Sequence, residues 1–230
     1  MCSSDLDAKT LAARAKRYTV GDLRRLMDLS PALAKLNHDR FQVWSKAETR
    51  SAIYAFAGDV YQGFDAASLD AGSIAFAQDH VAILSGLYGL LRPLGLIAPY
   101  RLEMHSKVDT ARGEDLYDYW RKNLTDHLNA RLAEMKAPIL VNLASNEYWS
   151  AVDAKRIKAP IVEAVFKEIK GGKTAIVPIF AKKARGLMAR HIAETRATTV
   201  DDLKAFKTAG YRCDAKASND TTLVFSRKTP

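Results

Sequence analysis

The sequence predicts an α+β protein folded as a single domain over residues 1–230, and three observations carry that expectation. Apolar residues in the front half recur at helical spacing. The back half holds β-rich runs that double back around glycine or Ser-Asn-Asp turns, which predicts a mostly antiparallel sheet there. No repeat, low-complexity segment or Pro/Gly/Ser-rich linker divides the 230 residues, and 48% hydrophobic content is enough for a buried core.

The elements follow in order. "DAKTLAARAKRY" (7–18) has apolar spacing near 3.6. "TVGDLRRLMDL" (19–29) opens on Thr19 as an N-cap, and the next helix places Ser30 at the N-cap and Pro31 at its first position. Leu33, Leu36, Phe41 and Trp44 are expected on its buried side. Helices are also expected over 48–63 and 71–84. "PYRLEM" (99–104) reads as extended, with Tyr100, Leu102 and Met104 toward the core and Arg101 and Glu103 on the other face. Residues 113–135 form the strongest amphipathic helix, with Leu116, Tyr119, Trp120, Leu124, Leu128 and Leu132 in register. A short strand in "PILVNLA" (138–144) then meets a helix capped by Ser145.

From residue 160 onward the pattern changes. Two β-rich runs flank "KGGK" (170–173), a basic helix covers 181–195, and a short helix starts at Thr199. A second hairpin over 210–228 turns through "SND".

Lys and Arg number 35 against 26 acidic residues, a formal charge of +9, which favours polyanionic or phosphorylated partners. Cys2 and Cys213 make no disulfide framework, so a reduced, cytoplasmic setting is expected. No apolar run approaches the ~18–20 residues that cross a bilayer, and the start "MCSSDLDAKT" has no signal-peptide stretch, so no membrane partner is expected. The five histidines are scattered and no Cys-x-x-Cys occurs, which predicts no metal site. There is no P-loop and no strand–GxGxxG–helix unit, so no cofactor is expected.

Four places combine the residue types that chemistry needs. "LSGLYGLLRP" (84–93) sets Gly86 and Gly89 three apart in an apolar run. It reads as a helix-hairpin-helix-like turn whose amides, with Ser85, Tyr88 and Arg92, meet a phosphate, or as a helix–helix turn packed in the core. Arg101 and Glu103 either line a cleft or form a solvated pair. Asn142 ends a strand, and Ser145 and Glu147 open a helix, either as a site or as a capping arrangement. Lys182, Lys183, Arg185 and Arg190 sit among Ala and Gly on one helix, suited to phosphate or forming a solvated face.

Five segments occur together in order: "GDVYQGF", "LSGLYGLLRPLGLIAPYRLEM", "ARGEDLYDYW", "NLASNEY" and "AKKARGLM". On these the chain resembles the YaaA family of bacterial peroxide-stress proteins from about residue 10 to 227. The resemblance implies one mixed α/β domain with a basic cleft, binding of double-stranded DNA, and a role in limiting iron-mediated damage during hydrogen peroxide stress; a monomer is expected. It implies that Ser85–Arg92 is the hairpin and that Arg101, Glu103, Asn142, Ser145, Glu147, Lys182, Lys183 and Arg185 line the cleft. Family members open with a short apolar strand where this chain has "MCSSDLDAKT", so that strand is expected to be lacking and a sheet edge exposed. The carboxylates of Glu103 and Glu147 fit a polyanion poorly, which leaves a second reading: an enzyme or binder acting on a nucleotide-like phosphorylated small molecule.

Overall fold

The computed structural model describes residues 3–229, with side chains from residue 6 onward; Cys2 lies outside the described residues. In chain order the front half holds α1 (Ser3–Ala15), α2 (Val20–Met27), α3 (Pro31–Val43), β1 (Arg50–Ser51), α4 (Ala52–Ala55), α5 (Asp59–Phe64), α6 (Ala71–His80), β2 (Ile83–Ser85), β3 (Gly89–Leu91) and β4 (Leu96–Ile97). Next come α7 (Leu116–Glu134), β5 (Leu140–Asn142), α8 (Asn146–Trp149), β6 (Ile161–Lys170), β7 (Lys173–Ala175), α9 (Pro178–Thr195), α10 (Val200–Lys204), β8 (Arg212–Cys213) and β9 (Thr222–Lys228). The α+β class holds. Contacts group these elements into two compact units.

The first unit comprises residues 1–55, 82–131 and 146–157. Its helices start where their caps require. Thr19 Oγ1 accepts from the Asp22 N–H while Asp22 accepts from the Thr19 N–H, a complete capping box for α2. Ser30 caps α3 ahead of Pro31. The buried face of α3 is Ala34, Asn37 and Phe41. Leu33 and Leu36, expected in the core, are 40% and 44% exposed. Phe41 is buried as expected and Trp44 is half-buried, whereas at the start of the helix Ala34 and Asn37 rather than the leucines face the core.

On α7, Leu116, Tyr119, Trp120, Leu124 and Leu128 are buried as their spacing predicts, and Leu132 is half-buried. Asp7 of α1 is buried against this helix. Its carboxylate pairs with Arg112 at 2.7 Å and accepts from Asn123 at 2.9 Å and from the Tyr119 hydroxyl at 3.2 Å. Burial, and then the Asp7 charge, push the Tyr119 phenol up to about 12.

The expected helix over 48–63 is instead β1, α4 and α5, broken at Gly58, whose φ is +127°. β1 pairs antiparallel with β4. The helix expected over 71–84 ends at His80, and Ile83 begins a strand.

The second unit comprises residues 56–81, 132–145 and 158–230. Its five-stranded sheet runs β5-β6-β9-β8, with β7 on β6. The two expected hairpins are present as β6/β7 and β8/β9. The first turns through Gly171 and Gly172, at φ +57° and +76°, the left-handed pair that a two-residue hairpin loop requires. The sheet is mixed rather than mostly antiparallel, because β5/β6 and β6/β9 are parallel and β6/β9 is the longest ladder. Parallel neighbours need a long crossover, and α9 with α10 supplies it. Residues 176–180, expected to extend the strand, instead lead into that helix at Pro178.

Along β6, Val162, Ala164, Phe166 and Glu168 form the buried row. The first three share one core with Ala181, Ala184 and Met188 of α9 and with Phe206, Tyr211 and Phe225. Glu168 is a carboxylate in that row. It accepts from Arg227 Nε at 3.0 Å on both oxygens and from the Tyr211 hydroxyl at 2.5 Å. The Arg227 guanidinium also lies over the rings of Tyr211 and Phe180. No helix among the described residues is long and apolar enough to cross a membrane.

Candidate functional site

Gly86 and Gly89 belong to an antiparallel β-hairpin, with Ser85 opposite Gly89, and not to a helix-hairpin-helix turn. An apolar run this short carries no periodicity that separates strand from helix. Both glycines permit close packing. A Cβ on Gly86 would lie 2.3 Å from the Leu102 carbonyl oxygen. One on Gly89, at φ +70°, would meet the Trp120 ring at 2.6 Å. The Trp120 indole donates to the Gly86 carbonyl at 2.9 Å. The turn's own polar groups are engaged inside: the Tyr88 N–H donates to Ser85 Oγ at 2.9 Å, and Ser85 Oγ bonds the Tyr100 hydroxyl. The Tyr88 hydroxyl accepts from the Ala98 N–H at 2.8 Å. Ser85 and Tyr88 are buried, whereas Arg92, one residue past β3, is exposed.

Beyond this hairpin, in the same unit, the segment 99–103 and the turn at 104–105 carry a polar network. Arg101 donates to Glu103 from Nε at 3.0 Å and from Nη2 at 2.5 Å. Leu102 and Met104 are buried, as the alternation predicts. His105 lies between two carboxylates. Its Nδ1 is 2.9 Å from Glu147 Oε1, and its Nε2 is 3.7 Å from Glu103 Oε2. Tyr148 of α8 completes the group: burial above all, then the charges of Glu147 and Glu103, push its phenol far above its ordinary range, with Arg101 opposing. Burial and Glu147 likewise raise Tyr117. The network therefore offers a fixed guanidinium, an imidazole bracketed by carboxylates, and a phenol that keeps its proton. Those are the parts for orienting a charged ligand and moving a proton. His105 sits in the turn that follows, closed by the Ser106 N–H donating to the Glu103 carbonyl at 3.1 Å, and it is this turn that carries the imidazole to Glu147.

The remaining candidates lie on the second unit. Asn142, at the end of β5, is buried, and its side-chain oxygen accepts from the Ala144 N–H at 3.0 Å, shaping the turn toward Ser145. Ser145 is half-buried just ahead of α8. On α9 the cations divide. Arg190 donates to the Phe64 and Asp65 carbonyls and to Ser68 Oγ, satisfying the C-terminal end of α5. Arg185 is half-buried, and desolvation pulls its pKa down against the opposing pull of Glu163. Lys182 and Lys183 are exposed and have no carboxylate partner among the described residues.

The small residues of α9, Gly186 among them, suit the close approach of another backbone or of a ligand, and the structure puts the backbone of α5 against Gly186. A Cβ on Gly186 would stand 1.9 Å from the Val60 carbonyl oxygen, and one on Gly63 would stand 2.2 Å from that of Lys183. Each helix thus lays a glycine against the other's backbone, and the helices meet closer than any side chain allows. Both glycines fall in motifs already noted, "GDVYQGF" and "AKKARGLM".

Fold and site together describe an α+β protein with a lysine-bearing helix locked by glycines and a carboxylate-flanked histidine. The chain belongs to the family described as peroxide stress protein YaaA, whose model matches residues 3–217. It is 50% identical over 225 residues to a UPF0246 protein of Ruegeria pomeroyi, a match covering 96% of this chain and 88% of that one. A UPF0246 protein of Bordetella petrii is 48% identical over 217 residues, covering 93% of this chain and 85% of its own.

Proposed function

We propose that the chain is a DNA-binding protein of the peroxide-stress response that limits iron-mediated damage by engaging the phosphates of double-stranded DNA through α9. The observation that carries the reading is the exposed pair Lys182 and Lys183, without carboxylate partners, on a helix whose backbone is held rigid by glycine packing. Family membership and the charge of +9 support it. The test is a fluorescence anisotropy salt series on a labelled duplex. Lys182→Ala with Lys183→Ala should weaken binding and reduce the log–log salt slope by about two, roughly one per lost phosphate contact. A slope identical to that of the native chain would refute the assignment to α9.

One observation favours a second reading: the Arg101–Glu103–His105–Glu147 network is more elaborate than phosphate gripping requires. It suits an enzyme or binder of a nucleotide-like phosphorylated small molecule. Thermal shift with nucleoside mono-, di- and triphosphates should raise Tm with at least one of them, and Arg101→Ala or His105→Asn should remove the rise. A panel that leaves Tm of the native chain unmoved eliminates this reading.

A further inference from the structure

We infer that Ile176 and Ile179 form an aliphatic wedge that enters between base steps of the bound duplex and bends it. The inference rests on the DNA reading above. Both side chains are 56% exposed, and they flank the junction from β7 into α9. Ile179 shares a helix face with Lys182 and Lys183 at i+3 and i+4. On the other side of the junction, Lys170 and Lys173 stand directly opposite each other across the hairpin. Like charges so placed weaken a hairpin, and a polyanion seated between them reverses that repulsion. None of the four lysines has a carboxylate partner among the described residues. Two exposed apolar side chains with lysines before and after them along the chain are the chemistry by which architectural proteins unstack a base step while holding the phosphates on either side.

The mount is stiff. Isoleucine is restricted at χ1, and Pro178 between the two fixes its own φ at the first helical position. An anionic membrane surface is the other occupant that such a patch could suit. Interfacial helices present an apolar stripe over several turns, however, and the rest of the apolar face of α9 (Ala181, Ala184, Met188) is already in the protein core.

The experiment is energy transfer across an end-labelled duplex of about 25 base pairs, with 2-aminopurine reporting unstacking. The native chain should shorten the end-to-end distance and raise 2-aminopurine fluorescence. Ile176→Ala with Ile179→Ala should abolish both signals and cost about tenfold in affinity, with the salt slope retained because the lysines remain. Binding of a straight duplex by the native chain overturns the wedge and leaves the DNA reading standing. No salt-dependent duplex binding at all overturns both. Isoleucine-dependent capture by phosphatidylserine vesicles, with no change in the duplex, reassigns the patch to a membrane surface and also overturns the wedge.

Discussion

Gly186→Ala should destabilise the second unit by about 3 kcal/mol or more, the upper end of what overpacking costs. In a chain of this size that lowers Tm by about 6–12 °C. Extra methyl groups in a core usually displace flexible side chains, which give way. Here the new methyl would stand 1.9 Å from the Val60 carbonyl oxygen and 2.9 Å from its carbon, both backbone atoms of α5. The helices can only move apart, and doing so strips the Arg190 bonds from the Phe64 and Asp65 carbonyls. Gly63→Ala meets the reciprocal obstacle at Lys183 and should behave alike. Exposed Gly21, where a Cβ would meet nothing closer than 3.6 Å, is the control, and Gly21→Ala should hold or raise Tm. A Tm for Gly186→Ala within 1–2 °C of the native chain would show that α5 and α9 have slack between them.

Glu168→Ala should cost about 3–5 kcal/mol, read as a fall in the urea midpoint. The carboxylate is 3% exposed and its partner Arg227 12%. Deleting it leaves a buried guanidinium without a counter-charge and the Tyr211 hydroxyl without an acceptor. Tyr211→Phe removes one hydrogen bond and leaves the ion pair intact, so its cost should be nearer 1 kcal/mol. The ordering of the two variants is the diagnostic. Equal losses would mean that the cluster is held by its aromatic packing rather than by the charge.

What could be read from the sequence was whatever depends on local chemistry. Thr19, Ser30 with Pro31, and Thr199 mark helix starts because a capping hydroxyl answers to amides within three residues. Gly171-Gly172 marks its turn for the same local reason. What could not be read depends on partners distant in the chain. Gly86 and Gly89 resemble ligand-facing glycines until Leu102 and Trp120 are placed against them. The parallel pairing of β6 with β9 joins residues about sixty apart, and no local signal announces it. The site divides the same way. Alternation put Arg101 and Glu103 on one face, whereas the approach of Glu147 to His105 spans 42 positions and needed the fold.

The glycine crossing has a mechanical consequence. Two bodies pressed together share the strain in proportion to their compliance, and the softer one yields. Backbone set against backbone gives α9 almost no compliance toward α5. A duplex bends smoothly at a cost of only a few kcal/mol over a site of 20–30 base pairs. Under the duplex-binding reading proposed above, the duplex rather than α9 would take up the strain, and sequences that deform easily should be held in preference to stiff ones.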